Sequence, residues 1–598
     1  MQPHPTRLAV SVSKLPTRVQ LKRWRDVSPF HCGRGVTSTA LRHRWSAAAL
    51  AAAATAATAA RSRVHRRAGA AMGALRDATS EVDVVVIGSG IGGLCAGSVL
   101  AKYGKRVLVC EAHGTAGGAA HGFRCKLPKA GGEFFFDTGP SFFSGLSDPD
   151  GGRINPLKAV FDLLEVELPC HQYRSFGLCL PEGDFTHTPN FGSEILAPVS
   201  GKAAKREWDG LLQAMKPLAA LVEALPVPAL RSDLGALLTA GRFLPRFAMA
   251  GPWGAAQLTD PFAETVKRAG LTDPFARRWL DLLCFCLSGL PSDGTVTAEM
   301  AMMFGEFYKP SAIMDYPVGG VKSLVEVLVK GLEKYGGELR LRSPVKEILV
   351  EEGRAVGVRT AKGDIRAATV ICNVSAWDMA KLLPPETADS RWCQDRAQMP
   401  PTKSFMHLHV GFDATGLDLG KLQPHYICLK DWQRGVEAEE NAVLISIPSV
   451  EDSSLAPEGC GVLHAYTPAT ESWDRWKNLD RRSEEYKVLK EQRAEYLWKQ
   501  LERPIPDIRQ RSKVHLIGTP LTHQRFLHRH QGTYGPRIKA GQAEFPGAAT
   551  PLPGLLLCGD SCFPGIGVPA VAGSGLLAAH AGLDTLPAQL KELERLFK

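Results

Sequence analysis

The chain has 598 residues with 71 basic and 61 acidic side chains, a net charge of +10, and its length calls for about three or four domain-sized units rather than one. The charge is uneven: residues 1–76 hold 14 Lys and Arg against the single acid Asp26, leaving 57 basic and 60 acidic residues for the rest. The basic excess is therefore not a patch on a folded surface, and no nucleic-acid partner is implied.

Residues 1–75 are rich in Arg, Ser, Thr and Ala and nearly free of acids, the composition of an organelle transit peptide. Their alanine run, Ala47 to Ala60, is too short and too weakly apolar to span a bilayer, which takes roughly 20 residues. Composition leaves plastid and mitochondrion open as destinations. The 14 cysteines are scattered without a C-x-x-C pair, which reads as free thiols in a reducing compartment and speaks against a flavin disulfide reductase.

Val82 to Glu111 reads VDVVVIGSGIGGLCAGSVLAKYGKRVLVCE. A buried strand, Val82 to Ile87, leads into Gly88, Gly90 and Gly93 and then a helix, so the G-x-G-x-x-G spacing stands in its required setting. Gly88 suits the tight turn, Gly90 a close backbone approach to a pyrophosphate, and Gly93 close packing of helix on sheet. The helix N-terminus then offers unpaired N–H groups and a positive dipole end to phosphates, and Gly92 belongs to the same turn. A second strand, Arg106 to Cys110, ends at Glu111, whose carboxylate can accept both ribose hydroxyls of an adenosine. An acid there disfavours a 2′-phosphate, so FAD or NAD is expected over NADP.

A second glycine doublet, Gly117 and Gly118, follows in AHGTAGGAAHGF and would bring bare backbone against the pyrophosphate. Glu133 to Gly145 reads as a strand entering a turn. From about Asn155 to Lys309 the spacing predicts a helical layer without nucleotide signals. Within it, Leu211 to Leu230 with Arg242 to Gly254 would form an amphipathic rim at a membrane surface, with Arg242 and Arg246 at the headgroups, or else pack inward as core.

From Tyr316 the pattern resumes: a Gly319-Gly320 turn, a helix to about Tyr335, and three short strands, Val345 to Val350, Ala355 to Thr360 and Ile365 to Cys372. Val345 is placed with the cofactor-binding residues. Phe405 to Phe412, Ala442 to Ile447 and Val462 to Tyr466 predict a second sheet, and Arg481 to Leu501 a charged helix. Near the C-terminus, the strand Leu555 to Cys558 stops at Gly559-Asp560, and a helix of small residues begins near Val571. Gly559 allows close approach, and Asp560 can accept from a ribityl hydroxyl or reach a pyrophosphate through water. The helix dipole, with Gly567 and Val568 at its entry, can face a flavin's anionic edge. The fold class expected is α/β: a Rossmann-type FAD-binding fold of two domains, with an interleaved α+β substrate domain. Residues 76–150, 311–380 and 546–598 would form the first, and 151–310 and 381–545 the second.

Taken together these residues resemble the amine-oxidase-like flavoproteins, of glutathione-reductase-like architecture, and within them the phytoene desaturase and carotenoid cis-trans isomerase family. The similarity covers roughly Val82 to Leu586, and is closest in GDSCFPGIGV (Gly559 to Val568), GTPLTHQRFLHRHQGTYGP (Gly518 to Pro536), YPVGGVKSL (Tyr316 to Leu324) and FDTGPSFFSG (Phe136 to Gly145). The resemblance implies non-covalent FAD, a long carotenoid substrate, an electron donor for the flavin and a plastid address. The sequence departs from the isomerase pattern at Ile566, where a glutamine is usual, at Pro569 and Gly573, where bulky apolar residues are, and at His121. These departures bear on substrate and outcome rather than on fold.

No Ser-His-Asp order, zinc spacing or paired-carboxylate motif is present, so no metal is expected and no catalytic residue is assigned; His407, His409, His523, His528 and His530 read singly as structural. The flavin would carry the chemistry. Isomerisation with reduced flavin is the leading expectation. Desaturation or saturation of an isoprenoid, hydration or rearrangement of a xanthophyll, and a non-catalytic prenyl-lipid carrier resembling the Rab GDP-dissociation inhibitors stay open beside it. A C40 polyene does not leave lipid readily, so the protein would work peripherally at the plastid membrane.

Overall fold

The computed structural model describes residues 81–126, 132–139, 141–147, 155–224, 256–543 and 545–582. The leader and the Arg242 to Gly254 segment lie outside them.

Glu81–Ile87 is a strand because Val84, Val85, Val86 and Ile87 are all buried, the continuous apolar run of a strand covered on both faces. Parallel neighbours flank it: Val107–Cys110 on one side and Gly363–Cys372 on the other. The sheet extends through Glu338–Arg340 beyond the first and through the antiparallel pair Arg354–Thr360 and Val345–Glu351 beyond the second. Gly363–Cys372 is long enough to hold two partners on one side, Arg354–Thr360 along its start and the parallel strand Leu555–Leu557 along its end. Ile87 is thereby in register with both Cys110 and Cys372, and Cys372 with Leu557. The chain leaves all four strands at one edge of the sheet.

The helix Ile91–Lys102, which follows the glycine turn, is buried from Ile91 to Ala101 and wedged between the helices Val568–Ala581 and Lys322–Lys334. Small residues set that spacing. A Cβ on Gly575 would lie 2.4 Å from the Gly92 carbonyl oxygen, and one on Gly97 would lie 3.0 Å from Val109 Cγ2 on the sheet. The C-terminal helix starts at Val568, earlier than expected, because Pro569 occupies its first turn, where a missing N–H costs nothing.

A second seven-stranded sheet runs Ser512–Gly518, His407–Asp413, Cys460–Tyr466, Ala442–Ser446, His425–Leu429, Phe176–Leu180, Gly183–His187. The last two strands, with Cys170–Tyr173, correct the purely helical reading of Asn155 to Lys309. All five residues of Phe176–Leu180 are buried, so no polar alternation marked the strand. The helices Lys202–Ala224, Pro274–Ser288 and Thr297–Phe307 contribute to the apolar core beside this sheet, and Glu484–Leu501 contributes to another. In Lys202–Ala224 the apolar stripe Trp208, Leu211, Met215, Leu218 and Leu221 is buried, so the described part of the expected membrane rim is core packing. No helix among the described residues is long and apolar enough to cross a membrane.

The interior beside this sheet holds uncharged imidazoles. Burial pushes His187, His425 and His523 down to about 3 and His409 to about 4. In the unfolded chain these groups bind protons below about pH 6.5, whereas the folded protein does not. Their contribution is therefore neutral above that pH and becomes destabilising as pH falls toward 4, by roughly 1.4 kcal/mol per histidine per pH unit. Thermal unfolding should be nearly pH-independent between about pH 7 and 8 and decline steeply between about pH 6 and 4. An unchanged midpoint across that acid range would show that the imidazoles are not held neutral.

Candidate functional site

The shared strand edge brings the ends of Glu81–Ile87, Val107–Cys110, Gly363–Cys372 and Leu555–Leu557 to one cavity of about 890 Å³. Of the twelve residues expected to bind a cofactor, ten line it: Gly88, Gly90, Glu111, Gly117, Gly118, Val345, Gly559, Asp560, Gly567 and Val568. Gly92 and Gly93 stand behind the wall. A Cβ on Gly92 would lie 3.1 Å from the Gly559 nitrogen, and one on Gly93 would lie 2.1 Å from the Gly88 carbonyl oxygen. Gly93 is thus needed for the helix to start directly on the turn, and Gly97 is the residue that meets the sheet.

Gly88 sits at φ +94°, a conformation that favours glycine. Gly117 donates its N–H to the Ser89 carbonyl at 3.0 Å and pairs with Gly90, laying the second glycine doublet against the first. A Cβ on Gly118 would come within 3.2 Å of Gly90 Cα. This end of the cavity is walled by bare backbone.

Glu111 is buried, and both carboxylate oxygens are held: Oε2 accepts from Ser89 N at 2.8 Å and Ser89 Oγ at 2.6 Å, and Oε1 accepts from His113 N at 2.7 Å. That leaves the carboxylate oriented, with further lone pairs for diol hydroxyls.

Two partners were not read from the sequence. Asn373 follows Cys372 at the strand edge, and its side chain fills the space between the glycine turns: its Nδ2 would lie 2.8 Å from a Cβ on Gly90 and its Oδ1 2.8 Å from one on Gly559. A polar residue directly after a buried parallel strand was the available signal. Arg529 pairs with Asp560 at 2.5 Å and also donates to the carbonyls of Thr533 at 2.7 Å and Tyr534 at 2.8 Å. Asp560 thus faces a guanidinium, and the Arg529 lying 31 positions earlier gave no local hint of it.

The same cavity is also lined by Leu287, Phe405, His407, Tyr466, Tyr534 and Ile566. All but Ile566, which precedes the helix Val568–Ala581, come from the second sheet or from segments outside the first. Ile566 packs on Gly535, where a Cβ would lie 2.5 Å from its Cδ1, so this departure from the isomerase pattern lies on the wall. His121 also faces the cavity and holds the Gly118 carbonyl through Nδ1 at 2.7 Å. His407, His409 and His523 are not isolated, as their spacing suggested, but gather with His464; His407 and His409 stack at 4.0 Å between ring centroids. His528 and His530 lie on the cavity wall apart from them.

The fit to a dinucleotide is direct: two glycine turns on which side chains would collide with backbone or with Asn373, a helix start without a side-chain cap at Gly90, and an oriented buried carboxylate.

Residues 91–581 match the model of the flavin containing amine oxidoreductases. The chain is 32% identical to the chloroplastic prolycopene isomerase of Daucus carota over 84% of its own length and 80% of that protein's. It is 27% identical to the all-trans-retinol 13,14-reductase of Danio rerio, over 80% and 82% of the two chains. Its fold matches that of an oxidoreductase from Methanosarcina mazei with a TM-score of 0.54 at 18% identity, over 83% and 99% of the two chains.

Proposed function

The chain belongs to the flavin containing amine oxidoreductase family, with its α/β FAD-binding fold, and on that premise we propose that it is an FAD-dependent carotenoid cis-trans isomerase of the plastid. It is an enzyme, and its cofactor is FAD. The observation that carries the proposal is that one cavity is lined both by the bare-backbone glycine turns with Glu111 and by the side chains of Leu287, Phe405, Tyr466, Tyr534 and Ile566. A polar cofactor and an apolar polyene are thereby held against one another.

In this reading Gly88, Gly90, Gly117 and Gly118 receive the pyrophosphate, supported by the helix start behind them, and Glu111 accepts the ribose hydroxyls. Gly92 and Gly93 keep the turn in place. Val345 lies along the adenosine side. Gly559 and Asp560 meet the ribityl chain, with Arg529 orienting Asp560, and Gly567 and Val568 present the second helix start to the isoalloxazine. Bound there, FAD supplies an exchangeable pair of electrons. Leu287, Phe405 and Ile566 exclude water from the substrate, and Tyr466 and Tyr534 add polar edges to an otherwise apolar wall. We divide the chain along the two sheets, with residues 76–150, 311–380 and 546–598 as the cofactor half and 151–310 and 381–545 as the substrate half; Pro156–Leu164 departs from this division, packing on Ile91–Lys102 and Val568–Ala581 of the cofactor half.

Gly90→Val tests the cofactor assignment. The added side chain would overlap Asn373 and the space kept for the pyrophosphate, a strain of about 1–3 kcal/mol. FAD binding should weaken about ten- to a hundredfold in a protein that still folds, read as flavin absorbance retained through gel filtration. Undiminished flavin would remove Gly90 from the site.

The reaction is redox-neutral on the polyene and calls for reduced flavin, hence for an electron donor as partner. Incubated anaerobically with prolycopene, the reduced enzyme should give a product of identical mass and altered retention. Similarity to the retinol reductase supports the second reading, saturation, which would add two hydrogens. Loss of two hydrogens would mean desaturation, and gain of a water hydration.

The substrate is drawn from a plastid membrane at whose surface the protein works. The basic leader, residues 1–75, supports the same compartment. Fused to a fluorescent reporter, those residues should carry it into plastids; cytosolic fluorescence would refute the address.

A further inference from the structure

Behind the apolar end of the cavity lies a line of hydrogen-bonded side chains that cofactor binding does not use. His407 is on the cavity wall. Its Nε2 meets His464 Nδ1 at 2.9 Å, His464 Nε2 meets Ser141 Oγ at 2.8 Å, and Ser141 Oγ meets Asp137 Oδ2 at 2.9 Å. Four residues from three separate parts of the chain make one continuous row. At its inner end, His407 Nδ1 is buried and has no hydrogen-bond partner. At its outer end, Asp137 lines a second cavity of about 450 Å³, whose wall also carries Arg124, Lys322, Glu326 and Lys330.

We propose that Asp137, Ser141, His464 and His407 form a proton relay that connects the second cavity to the substrate end of the main one, with His407 as the residue that exchanges the proton with the bound polyene. The inference rests on the carotenoid reading of that cavity and assigns the acid–base chemistry that reading leaves open.

The chemistry balances without charging a histidine. In the donating direction the Asp137 O–H bond breaks as its proton passes to Ser141 Oγ. The Ser141 proton passes to His464 Nε2, the His464 Nδ1 proton to His407 Nε2, and the His407 Nδ1 proton to the substrate. The substrate's electron pair forms the new bond, Asp137 is left as carboxylate, and each residue between them loses one proton and gains one. Water in the second cavity restores the Asp137 proton. Run backward, the same row takes a proton from the substrate, so protonation and deprotonation around a bond rotation leave the polyene's composition unchanged.

Surroundings support both ends. Asp137 Oδ1 accepts from Val321 N at 3.0 Å, and Oδ2 accepts from Tyr316 at 2.8 Å, so a proton on Oδ2 points along the row toward Ser141. Burial holds the Asp137 carboxyl above the usual carboxylate range. His407 faces His409 on its own strand, His464 and Tyr466 from the neighbouring strand, and His523 from the helix Pro520–Leu527. Burial, with those three imidazoles, keeps His407 well below the ordinary imidazole range, as burial does His464. A neutral relay suits such a place, because a lasting charge there would be unscreened.

A relay of this geometry demands that His407 and His464 carry the same tautomer, both protonated at Nε2 or both at Nδ1, since their contact joins Nε2 of one to Nδ1 of the other. The test uses the FAD-loaded enzyme and prolycopene. His464→Phe, Ser141→Ala and Asp137→Asn should each retain flavin while lowering kcat about a hundredfold, with KM changed little. The solvent deuterium effect on wild-type kcat should depend on deuterium fraction with the curvature of several protons in transit, and that curvature should vanish in Ser141→Ala. Nitrogen-15 resonances of the histidine-labelled wild type should show His407 and His464 neutral near pH 7 and of one tautomer. Opposite tautomers, or wild-type kcat in flavin-loaded His464→Phe, would overturn the relay. A wild-type enzyme that binds FAD but leaves prolycopene untouched would instead sink the carotenoid reading, and the tautomers would still decide the relay.

Discussion

The register of four parallel strands is what the rest of this molecule depends on. Because Ile87, Cys110, Cys372 and Leu557 end at one edge, the residues that follow them have no choice but to converge: Gly88, Glu111, Asn373 and Gly559 come from positions spread over more than four-fifths of the described chain. A one-residue slip of any strand would turn its buried side chains to the opposite face and misplace the turn that follows it. The uninterrupted burial of Val84 to Ile87 and Val107 to Cys110 makes such a slip costly, since both faces of the sheet are covered.

Close backbone contact is the second consequence. The turns meet each other through glycine against glycine, Gly90 with Gly117 and Gly92 with Gly559, so a surface of N–H groups and Cα atoms is left where side chains would otherwise stand. Such a surface accepts an anion by dipole and hydrogen bond rather than by a formal positive charge. The Arg529–Asp560 pair also lines the cavity, together with the aromatic and aliphatic side chains of Leu287, Phe405, Tyr466, Tyr534 and Ile566.

The second sheet supplies that other wall and shows how a protein stores polar groups in an apolar place. Alternate positions of His407–Asp413 face one side, which puts His407 and His409 together, and the antiparallel partner Cys460–Tyr466 adds His464. Each imidazole is kept neutral by burial and meets another polar group through at least one nitrogen or ring face. The same desolvation that makes the cluster a liability in acid suits it to passing protons without a lasting charge on any imidazole.

Much of the cofactor half was legible because its signals are local. Strand, glycine spacing, helix and terminal acid occupy the thirty residues from Val82 to Glu111, and each element reports its own backbone requirement in residue type. The Gly559-Asp560 turn was legible for the same reason. What the sequence could not disclose were contacts whose partners lie far apart: Asn373 wedged between two glycine turns, Arg529 on Asp560, and the path from Asp137 to His407, which spans 270 positions. Phe176–Leu180 escaped because a fully buried strand has no polar alternation, and the stripe from Leu211 to Leu221 read equally well as a membrane face or as core. Hydrophobic period records that a face is covered, but not by what; only the tertiary arrangement, which places the helix Thr297–Phe307 and the helical segment before Lys202 against that stripe, decides it.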